Sequence, residues 1–263
     1  MKTFQLLQPQ AGLRVFISGA AAGIGAAVAE AFLEAGAAVF VCDVDLVALQ
    51  SMQARHPDCF TGLANVARAD EVEHVIAQAL EKLGGIDVLI NNAGIAGPTA
   101  AVEDIATGDW ERTIDTNLNS QFYFLKHAVP ALKQSSDNAS IIAISSVAGR
   151  LGYPYRTPYA STKWAIMGLM KSLAMELGPV GIRVNTILPG VVEGPRMEGV
   201  IAARAQALGV TADEMRNEYL KKISLRRMVT AQDVAAMALF LASPAAAHIT
   251  GQSISVDGNV EYL

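Results

Sequence analysis

The chain alternates short runs of apolar, often β-branched residues with longer segments of helical pattern. The runs that predict strands cover 14–18, 38–42, 87–91, 140–145, 183–188 and 253–256, with a weaker run at 59–62. Hydrophobicity is continuous within the runs, which indicates burial on both faces, as in a parallel sheet covered by helices. The pattern therefore predicts a doubly wound α/β fold.

Helical patterns fill the intervals between these runs. They lie near 23–35, 45–55, 69–83, 109–133, 158–177 and 231–242. No linker or low-complexity segment interrupts the alternation, so we expect a single domain over residues 1–263.

The segment 193–227 departs from this rhythm. It is polar and helix-prone, and Thr211 and Glu214 within it have the spacing of a capping box. Because it follows the carboxyl end of a predicted strand, where open α/β sheets bind their ligands, we interpret it as a candidate substrate lid. A helical insertion on the surface, with no role in binding, is the alternative.

Composition narrows the classes of function. Of 263 residues, 52% are hydrophobic and 17% charged, with a net charge of −5, so neither a disordered chain nor an electrostatic nucleic-acid binder is expected. The first residues resemble no export signal, and apolar stretches end well before the roughly 18–20 residues that a membrane span needs. We expect a cytoplasmic protein without a membrane or nucleic-acid partner.

Metal and redox chemistry have no support in the sequence. The two cysteines, Cys42 and Cys59, lie in strand-like runs without a CxxC pattern, so each is interpreted as a small buried hydrophobe. The histidines are scattered without metal-ligand spacing. We therefore predict no metal site.

A glycine-rich turn, "SGAAAGIG" (18–25), lies between the first predicted strand and the first helix. Gly19, Gly23 and Gly25 allow the backbone to approach a pyrophosphate at a helix N-terminus. Glycines that serve only the packing of a tight turn are the alternative.

Asp43 ends the second predicted strand, about 20 residues after the glycines, where a carboxylate can accept hydrogen bonds from an adenosine ribose. Its charge repels a 2′-phosphate, and neither Ala22 nor Val44 supplies a compensating cation. These features favour NAD(H) over NADP(H). A solvated aspartate at a strand end is the alternative.

The stretch "PYASTKW" (158–164) places Tyr159 and Lys163 four residues apart, on one face of a helix. A tyrosine with a free pKa of about 10 is a poor base at neutral pH. A unit charge about 4 Å away, at an effective dielectric near 20, supplies about 4 kcal/mol, which is the stabilisation that a tyrosinate at neutral pH requires. Tyr153 and Tyr155 have no lysine four residues later and are predicted to be pocket walls.

Ser146 follows the fifth predicted strand in "ISSVAG" and is a candidate hydrogen-bond donor to a substrate oxygen. Taken singly, Ser146 is also explained as a strand-end cap, Tyr159 as a half-buried aromatic residue and Asn117 as a polar helix residue.

With "NNAG" (91–94) and "TNLNSQF" around Asn117, these motifs occur in an order that resembles the short-chain dehydrogenase/reductase family, from Arg14 to Asp257. The resemblance implies a Rossmann-type sheet of seven parallel strands and, commonly, a homotetramer to which 109–133 and 158–177 contribute. It also implies a catalytic group formed by Asn117, Ser146, Tyr159 and Lys163. In the family the asparagine anchors a water that links the lysine to solvent.

The expected cofactor residues combine the glycine turn, Asp43 and further positions that the resemblance implies. They are Gly19, Gly23, Ile24, Gly25, Asp43, Asn65, Val66, Asn92, Ala93, Gly94, Tyr159, Lys163, Pro189, Gly190 and Val192. Three positions depart from the family's common pattern, one of them in "DGN" (257–259), which stands for the usual "DGG". Asn65 stands where an aspartate is usual, and Gly194 replaces a threonine that often bonds the carboxamide.

Three arginines surround the expected substrate region. Arg150 and Arg156 bracket the loop before Tyr159, and Arg196 begins the candidate lid. An arginine fork suits a carboxylate, sulfonate or phosphate, so Arg156 and Arg196 are candidate substrate residues. Solvated arginines or structural ion pairs are the alternative.

The leading hypothesis is an oxidoreductase that transfers a hydride between NAD(H) and a secondary alcohol or ketone, such as a sugar, polyol or hydroxy-acid derivative with an anionic group. A 3-oxoacyl-[acyl-carrier-protein] reductase is one alternative, although such enzymes usually use NADPH, which Asp43 disfavours. A non-catalytic NAD(H) sensor is another, although sensors typically lose the tyrosine or the lysine. A serine hydrolase would need a Gly-x-Ser-x-Gly elbow, which "ISSVAG" lacks.

Overall fold

The computed structural model describes residues 3–135 and 139–262. Seven strands form one sheet: β1 (Arg14–Ser18), β2 (Ala38–Asp43), β3 (Phe60–Leu63), β4 (Val88–Asn91), β5 (Ser140–Ile144), β6 (Arg183–Pro189) and β7 (Ser253–Val256). Their order is β3-β2-β1-β4-β5-β6-β7, and every neighbouring pair is parallel. The predicted seven-stranded, doubly wound fold is confirmed. The strand order reverses between β1 and β4, which is where open sheets of this kind bind ligands.

Burial of the strands explains their continuous hydrophobicity. Every residue of β4, β5 and β6 is buried, because helices cover both faces of the sheet. The two edge strands are less buried: β7 has one exposed and three half-buried residues, and β3 has one exposed, two half-buried and one buried residue. The predicted strand limits agree with the observed ones to within one residue.

Ten α-helices accompany the sheet within the described residues: α1 (Thr3–Leu6), α2 (Gly23–Glu34), α3 (Leu46–Arg55), α4 (Ala69–Leu83), α5 (Thr107–Ile114), α6 (Ser120–Leu132), α7 (Thr157–Leu177), α8 (Pro195–Leu208), α9 (Ala212–Lys222) and α10 (Ala231–Ala242). Helices α2, α3 and α10 pack with strand residues such as Ile17 on one face of the sheet. Helices α4, α6 and α7 pack with residues such as Phe16 on the other. None of these helices is long and apolar enough to cross a membrane.

The helix predicted at 109–133 is interrupted. A π-helical turn, Asp115–Asn119, separates α5 from α6. The expectation of one regular helix was wrong here, because neither glycine nor proline marks the turn and a π-turn leaves the apolar pattern nearly intact. Such turns frequently occur at functional sites. The short helix α1 was not predicted.

The segment 193–227 folds into α8 and α9, and the capping box of Thr211 and Glu214 is present. The two helices have a small core of their own, formed by Val191, Ile201, Ala205, Met215, Tyr219, Ile223 and Val260. An isolated bridge between Val192 and Val229 joins the two stretches of chain that flank the segment, and a second bridge, between Ile223 and Val260, ties the segment itself to the residues after β7. The insertion is therefore packed onto the domain by its apolar face.

Candidate active site

One cavity of about 650 Å³ opens at the carboxyl ends of the strands. The predicted site residues that line it are Gly19, Gly23, Ile24, Asp43, Asn65, Val66, Asn92, Ala93, Gly94, Ser146, Arg156, Tyr159, Lys163, Pro189, Gly190, Val192 and Arg196. Gly25 and Asn117 lie behind its wall. Met197 and Val200 of α8 and Tyr219 of α9 also line the cavity, so the segment 193–227 forms one side of it.

The glycine turn is locked against the loop after β4. A Cβ atom on Gly19, whose φ is +62°, would lie 2.7 Å from Ala93 Cα, and one on Gly25 would lie 2.5 Å from the carbonyl oxygen of Gly19. Asn92 Nδ2 donates to the carbonyls of Gly19, at 2.7 Å, and Ser18, at 3.0 Å. Packing thus requires glycine at positions 19 and 25.

Helix α2 begins at Gly23 without a side-chain cap, since Ala22 occupies the N-cap position. Gly23 has a φ of +59°, and a Cβ atom there would meet nothing within 4 Å, so the backbone is open on that side. Uncapped amide groups at a helix N-terminus carry partial positive charge and bind anions. The turn can therefore hold a phosphate group.

The Asp43 carboxylate is held at the end of β2 by backbone amides. It accepts hydrogen bonds from Ala21 at 3.0 Å, Val44 at 2.8 Å and Asp45 at 3.2 Å. No described cation forms an ion pair with it. Among the described residues, no side chain therefore neutralises the negative charge at this end of the cavity.

Tyr159 and Lys163 lie on the first two turns of α7, with Pro158 in the helix's first turn. Lys163 Nζ is 5.5 Å from the centroid of the Tyr159 ring and donates to the carbonyl of Ile144 at 2.9 Å. The lysine is 4% exposed. Burial lowers its pKa to about 7, and the positive charge of Arg196 adds to this effect. The ammonium group lies over the Tyr159 ring, on the same helical face, as the i,i+4 spacing predicts.

Ser146 follows β5 and is buried at the cavity wall. Its Oγ accepts a hydrogen bond from the amide of Ala148 at 3.2 Å, which caps the short 3-10 turn Val147–Gly149. The serine is thus a cap and a cavity residue at once, and its hydroxyl hydrogen remains available to an acceptor in the cavity.

The Asn117 side chain joins the loop after β4 to α7. Its Oδ1 accepts from the amide of Ile95 at 2.7 Å, and its Nδ2 donates to the carbonyl of Ile95 at 3.0 Å and to Thr162 Oγ1 at 3.3 Å. The residue is fully buried on the π-helical turn. Both amide hydrogens are therefore engaged.

The departures from the family's common pattern at positions 65 and 194 have local explanations. Asn65 Oδ1 accepts a hydrogen bond from the amide of Ala67 at 3.1 Å, so this side chain stabilises the turn that carries the buried Val66. Gly194 has a φ of +133°, a conformation that L side chains rarely adopt. A threonine does not fit this backbone without strain.

The three arginines have different surroundings. Arg150 forms an ion pair with Asp257 at 2.9 Å and does not line the cavity. Arg196 is exposed at the cavity mouth and donates to the carbonyl of Gly94. Arg156 is buried, and its guanidinium carbon lies 5.3 Å from the centroid of the Tyr159 ring.

Sequence reasoning missed two buried residues of the segment 193–227: Tyr219, which lines the cavity, and Arg204, which contacts that tyrosine. Tyr219 Oη lies 2.7 Å from Tyr153 Oη and accepts a hydrogen bond from Arg204 Nη1 at 3.1 Å. Tyr153 lines the cavity as predicted, whereas Tyr155 is exposed outside it. The only sequence signal for Tyr219 and Arg204 is that aromatic and long polar residues occur within an otherwise polar lid, which does not by itself show where they point.

Comparisons with known proteins agree with this geometry. A family model described as "Enoyl-(Acyl carrier protein) reductase" matches residues 19–260. The D-beta-hydroxybutyrate dehydrogenase of Rhizobium meliloti is 33% identical over 255 residues, covering 92% of this chain and 96% of that protein. The 3-oxoacyl-[acyl-carrier-protein] reductase FabG of Thermotoga maritima is 34% identical over 249 residues, covering 93% and 96%.

A solved structure is similar over almost its full length. It is a 7 alpha-hydroxysteroid dehydrogenase complexed with NADH and 7-oxo glycochenodeoxycholic acid, with a TM-score of 0.89, 31% identity and coverage of 99% of this chain and 98% of that one. The fold, the joint placement of the predicted residues and these matches lead to one conclusion: the chain belongs to the short-chain dehydrogenase/reductase family, whose members are oxidoreductases acting on hydroxyl and carbonyl groups.

Proposed function

We propose that the protein is an NAD(H)-dependent oxidoreductase that interconverts a secondary alcohol and a ketone. The observation that carries the proposal is the convergence of Ser146, Tyr159 and Lys163 on one cavity that also contains the glycine turn and Asp43. A hydride acceptor and a proton acceptor are both needed to oxidise an alcohol, and these two ends of the cavity supply sites for them.

The residues present fit a dinucleotide. The uncapped start of α2 and the open backbone at Gly23 suit a pyrophosphate, and Asp43 suits a ribose diol. The absence of an ion pair at Asp43 among the described residues favours NAD(H), since a 2′-phosphate would meet an unneutralised carboxylate. Bound nicotinamide supplies the hydride chemistry, accepting a hydride in oxidation and donating it in reduction.

Residues of the chain transfer the hydroxyl proton of the substrate. Ser146 Oγ–H binds the substrate oxygen and holds it beside Tyr159, whose phenol oxygen takes the hydroxyl proton in oxidation and returns it in reduction. The ammonium of Lys163, 5.5 Å from the ring centroid, stabilises the tyrosinate. Asn117 anchors a relay water; because both its amide hydrogens are engaged, it does so as a hydrogen-bond acceptor.

The lowered pKa of Lys163, about 7, suits this relay. Near neutrality both protonation forms are populated, so the lysine can pass a proton between Tyr159 and the relay water without a large free-energy cost. Burial of the Lys163 ammonium beside the carbonyl of Ile144 lowers its pKa in this way. Lys163 therefore serves both as the electrostatic partner of Tyr159 and as a proton carrier.

The substrate classes that we consider are a sugar, a polyol and a hydroxy acid with an anionic group, with Arg156 and Arg196 as candidate contacts and α8 and α9 as the substrate lid. The FabG relatives make a 3-oxoacyl-[acyl-carrier-protein] reductase the second candidate. A cofactor preference for NADPH would favour this second candidate. An NAD(H) sensor without turnover is the remaining alternative.

The proposal also includes the oligomeric state and the cellular location of the protein. Apolar side chains of α6 and α7, Phe122, Trp164 and Met175, are between 52% and 79% exposed, which supports burial between subunits of a homotetramer. We propose a cytoplasmic homotetramer that acts on a small molecule. Light scattering coupled to size-exclusion chromatography tests the tetramer.

The cofactor assignment is tested by titrating the protein with NADH and NADPH while following nicotinamide fluorescence. We expect tight binding of NADH, weaker binding of NADPH, and loss of this preference in Asp43→Ala. Turnover of a panel of polyols, sugars and hydroxy acids with NAD+ then tests the reaction. If neither cofactor binds at micromolar concentration, the proposed function is wrong.

A further inference from the structure

A buried arginine that has no acidic partner in the described part of the chain lines the cavity. Arg156 is 2% exposed and forms no ion pair with any described residue. Its Nη2 donates to the carbonyl of Ala96 at 2.7 Å, while its buried Nε has no hydrogen-bond partner among the described atoms. Burying an unpaired charge is costly, so a guanidinium in this state, at a cavity wall, is suited to an anionic ligand.

A second buried arginine reinforces the positive charge. Arg204 of α8 is 7% exposed, and its Nε is also without a partner among the described atoms. The guanidinium carbons of Arg156 and Arg204 both lie 5.2 Å from the centroid of the Tyr153 ring. Glu193 also lines the cavity, but it is exposed and forms no ion pair with either arginine.

The paired phenols add a hydrogen-bond donor. Arg204 Nη1 donates to Tyr219 Oη, and one phenol of the Tyr153–Tyr219 pair donates to the other. Each phenol carries one hydrogen, and the bond between them uses only one of the two. Both tyrosines line the cavity, so the second O–H can donate to a ligand oxygen there.

We propose that this site binds the carboxylate of a hydroxy-acid or oxo-acid substrate, through Arg156 and the free O–H of the Tyr153–Tyr219 pair. Arg204 is a positioning residue that acts through Tyr219. The planar guanidinium fork matches a carboxylate, and it lies against the Tyr159 ring, so the carboxylate and the reacting alcohol are close together in the substrate. The inference rests on the proposed function and narrows it to small acids, since the cavity of about 650 Å³ must also hold the cofactor.

The relative named D-beta-hydroxybutyrate dehydrogenase has a hydroxy acid in its name, which supports a substrate of this class here. A neutral sugar or polyol would leave Arg156 without a counter-ion. A 3-oxoacyl group carried on a protein would bring no carboxylate to this position.

The test compares each acid with its carboxamide, which has nearly the same shape but no charge. The probes are hydroxy acids of three to eight carbons with the hydroxyl at position 2, 3 or 4, including 3-hydroxybutanoate and 4-hydroxycyclohexanecarboxylate. We expect kcat/KM for the preferred acid to exceed that for its amide by about 100-fold. Arg156→Gln should lower kcat/KM for the acid by about 100-fold and leave that for the amide within about threefold.

Three further variants separate charge from structure. Arg156→Lys keeps the charge and should restore part of the preference for the acid. Arg204→Met should raise KM for the acid by about 10-fold with little change in kcat. Arg216→Gln removes a charge from the exposed ion pair with Glu198. It should leave kcat/KM for both the acid and its amide unchanged. Equal rates for acid and amide in the wild type, or equal losses in Arg156→Gln, would overturn the proposal.

A binding measurement keeps the two proposals distinguishable. Isothermal titration of the protein–NADH complex with butanoate and cyclohexanecarboxylate, against their amides, needs no turnover. Carboxylate binding that Arg156→Gln abolishes, without turnover of any probe, supports the anion site and contradicts the proposed reaction. Turnover of neutral alcohols without carboxylate binding supports the reaction and contradicts the anion site.

Discussion

Ser145 Oγ donates a hydrogen bond to the main-chain carbonyl of Lys163 at 2.8 Å, which joins the end of β5 to helix α7. The serine is 3% exposed, so this bond is made in the interior. A Cβ atom on Gly149 would lie only 2.7 Å from the same carbonyl oxygen, which shows how closely the loop after β5 approaches the helix. The position of Lys163 is therefore fixed from outside its own helix.

We expect Ser145→Ala to destabilise the protein by about 1–2 kcal/mol and to lower kcat by about 10-fold, because the buried carbonyl of Lys163 loses its side-chain donor and the lysine shifts. Chemical denaturation and steady-state kinetics measure the two effects. Ser172→Ala is the matched control, since Ser172 Oγ makes a similar bond to Gly168 in the exposed part of the same helix. Equal effects of the two substitutions would contradict this role of Ser145.

The lowered pKa of Lys163 makes stability depend on pH. The unfolded chain holds the proton up to about pH 10, whereas the folded protein releases it near pH 7, so the unfolded state binds more protons between these values. The free energy of unfolding should therefore rise as pH increases through this window. Between pH 7 and 9 we expect the wild type to gain about 2 kcal/mol relative to Lys163→Met, which has no titrating group there.

Urea denaturation of both proteins at pH 7, 8 and 9 measures this difference. Lys163→Met should also be inactive, since it loses the cation that stabilises the tyrosinate. A pH dependence shared fully by the two proteins would show that Lys163 titrates normally.

Cofactor preference should be reversible at the end of β2. Replacing Asp43 with serine removes the repelling carboxylate, and Val44→Arg, at a residue that is 68% exposed, supplies a cation for a 2′-phosphate. We expect the double variant to change the ratio of the dissociation constants of NADH and NADPH by about 100-fold in favour of NADPH. Fluorescence titration with NADH and NADPH provides the measurement, and Val44→Ala alone should leave the preference unchanged.

The backbone at Gly194 should resist substitution although space is available. A Cβ atom there would meet nothing within 4 Å, but the φ of +133° disfavours any L side chain. We expect Gly194→Ala to cost about 1–2 kcal/mol or to displace the start of α8 and raise KM.

Gly199→Ala is the matched control for that substitution. Gly199 lies within α8, also has nothing within 4 Å of its Cβ position, and has an ordinary helical backbone. Alanine there should stabilise the helix by up to about 1 kcal/mol. A lower Tm for Gly194→Ala together with a higher Tm for Gly199→Ala would therefore show that the backbone angle at Gly194 causes the loss of stability.

The sequence by itself determined the layered fold and the closeness of Tyr159 and Lys163. Continuous apolar runs indicate buried parallel strands, and the i,i+4 spacing of Tyr159 and Lys163 is a local property of one helix. The sequence also predicts the roles of Gly19 and Gly25, because a turn that closely approaches another backbone segment has no room for a side chain. Such features depend on short-range geometry, which the order of residues specifies directly.

Tertiary structure decided the features that depend on partners distant in the chain. Arg150 and Arg156 look alike in sequence, but Arg150 lies beside Asp257, 107 positions away, whereas Arg156 is buried at the cavity with no acidic partner among the described residues. The contact of Tyr153 with Tyr219 spans 66 positions in the chain. The π-turn at Asn117 contains neither glycine nor proline, so no residue in the sequence predicts it. Burial and partner choice set the charge state and the binding role of a side chain, and both are properties of the packed molecule rather than of any local segment.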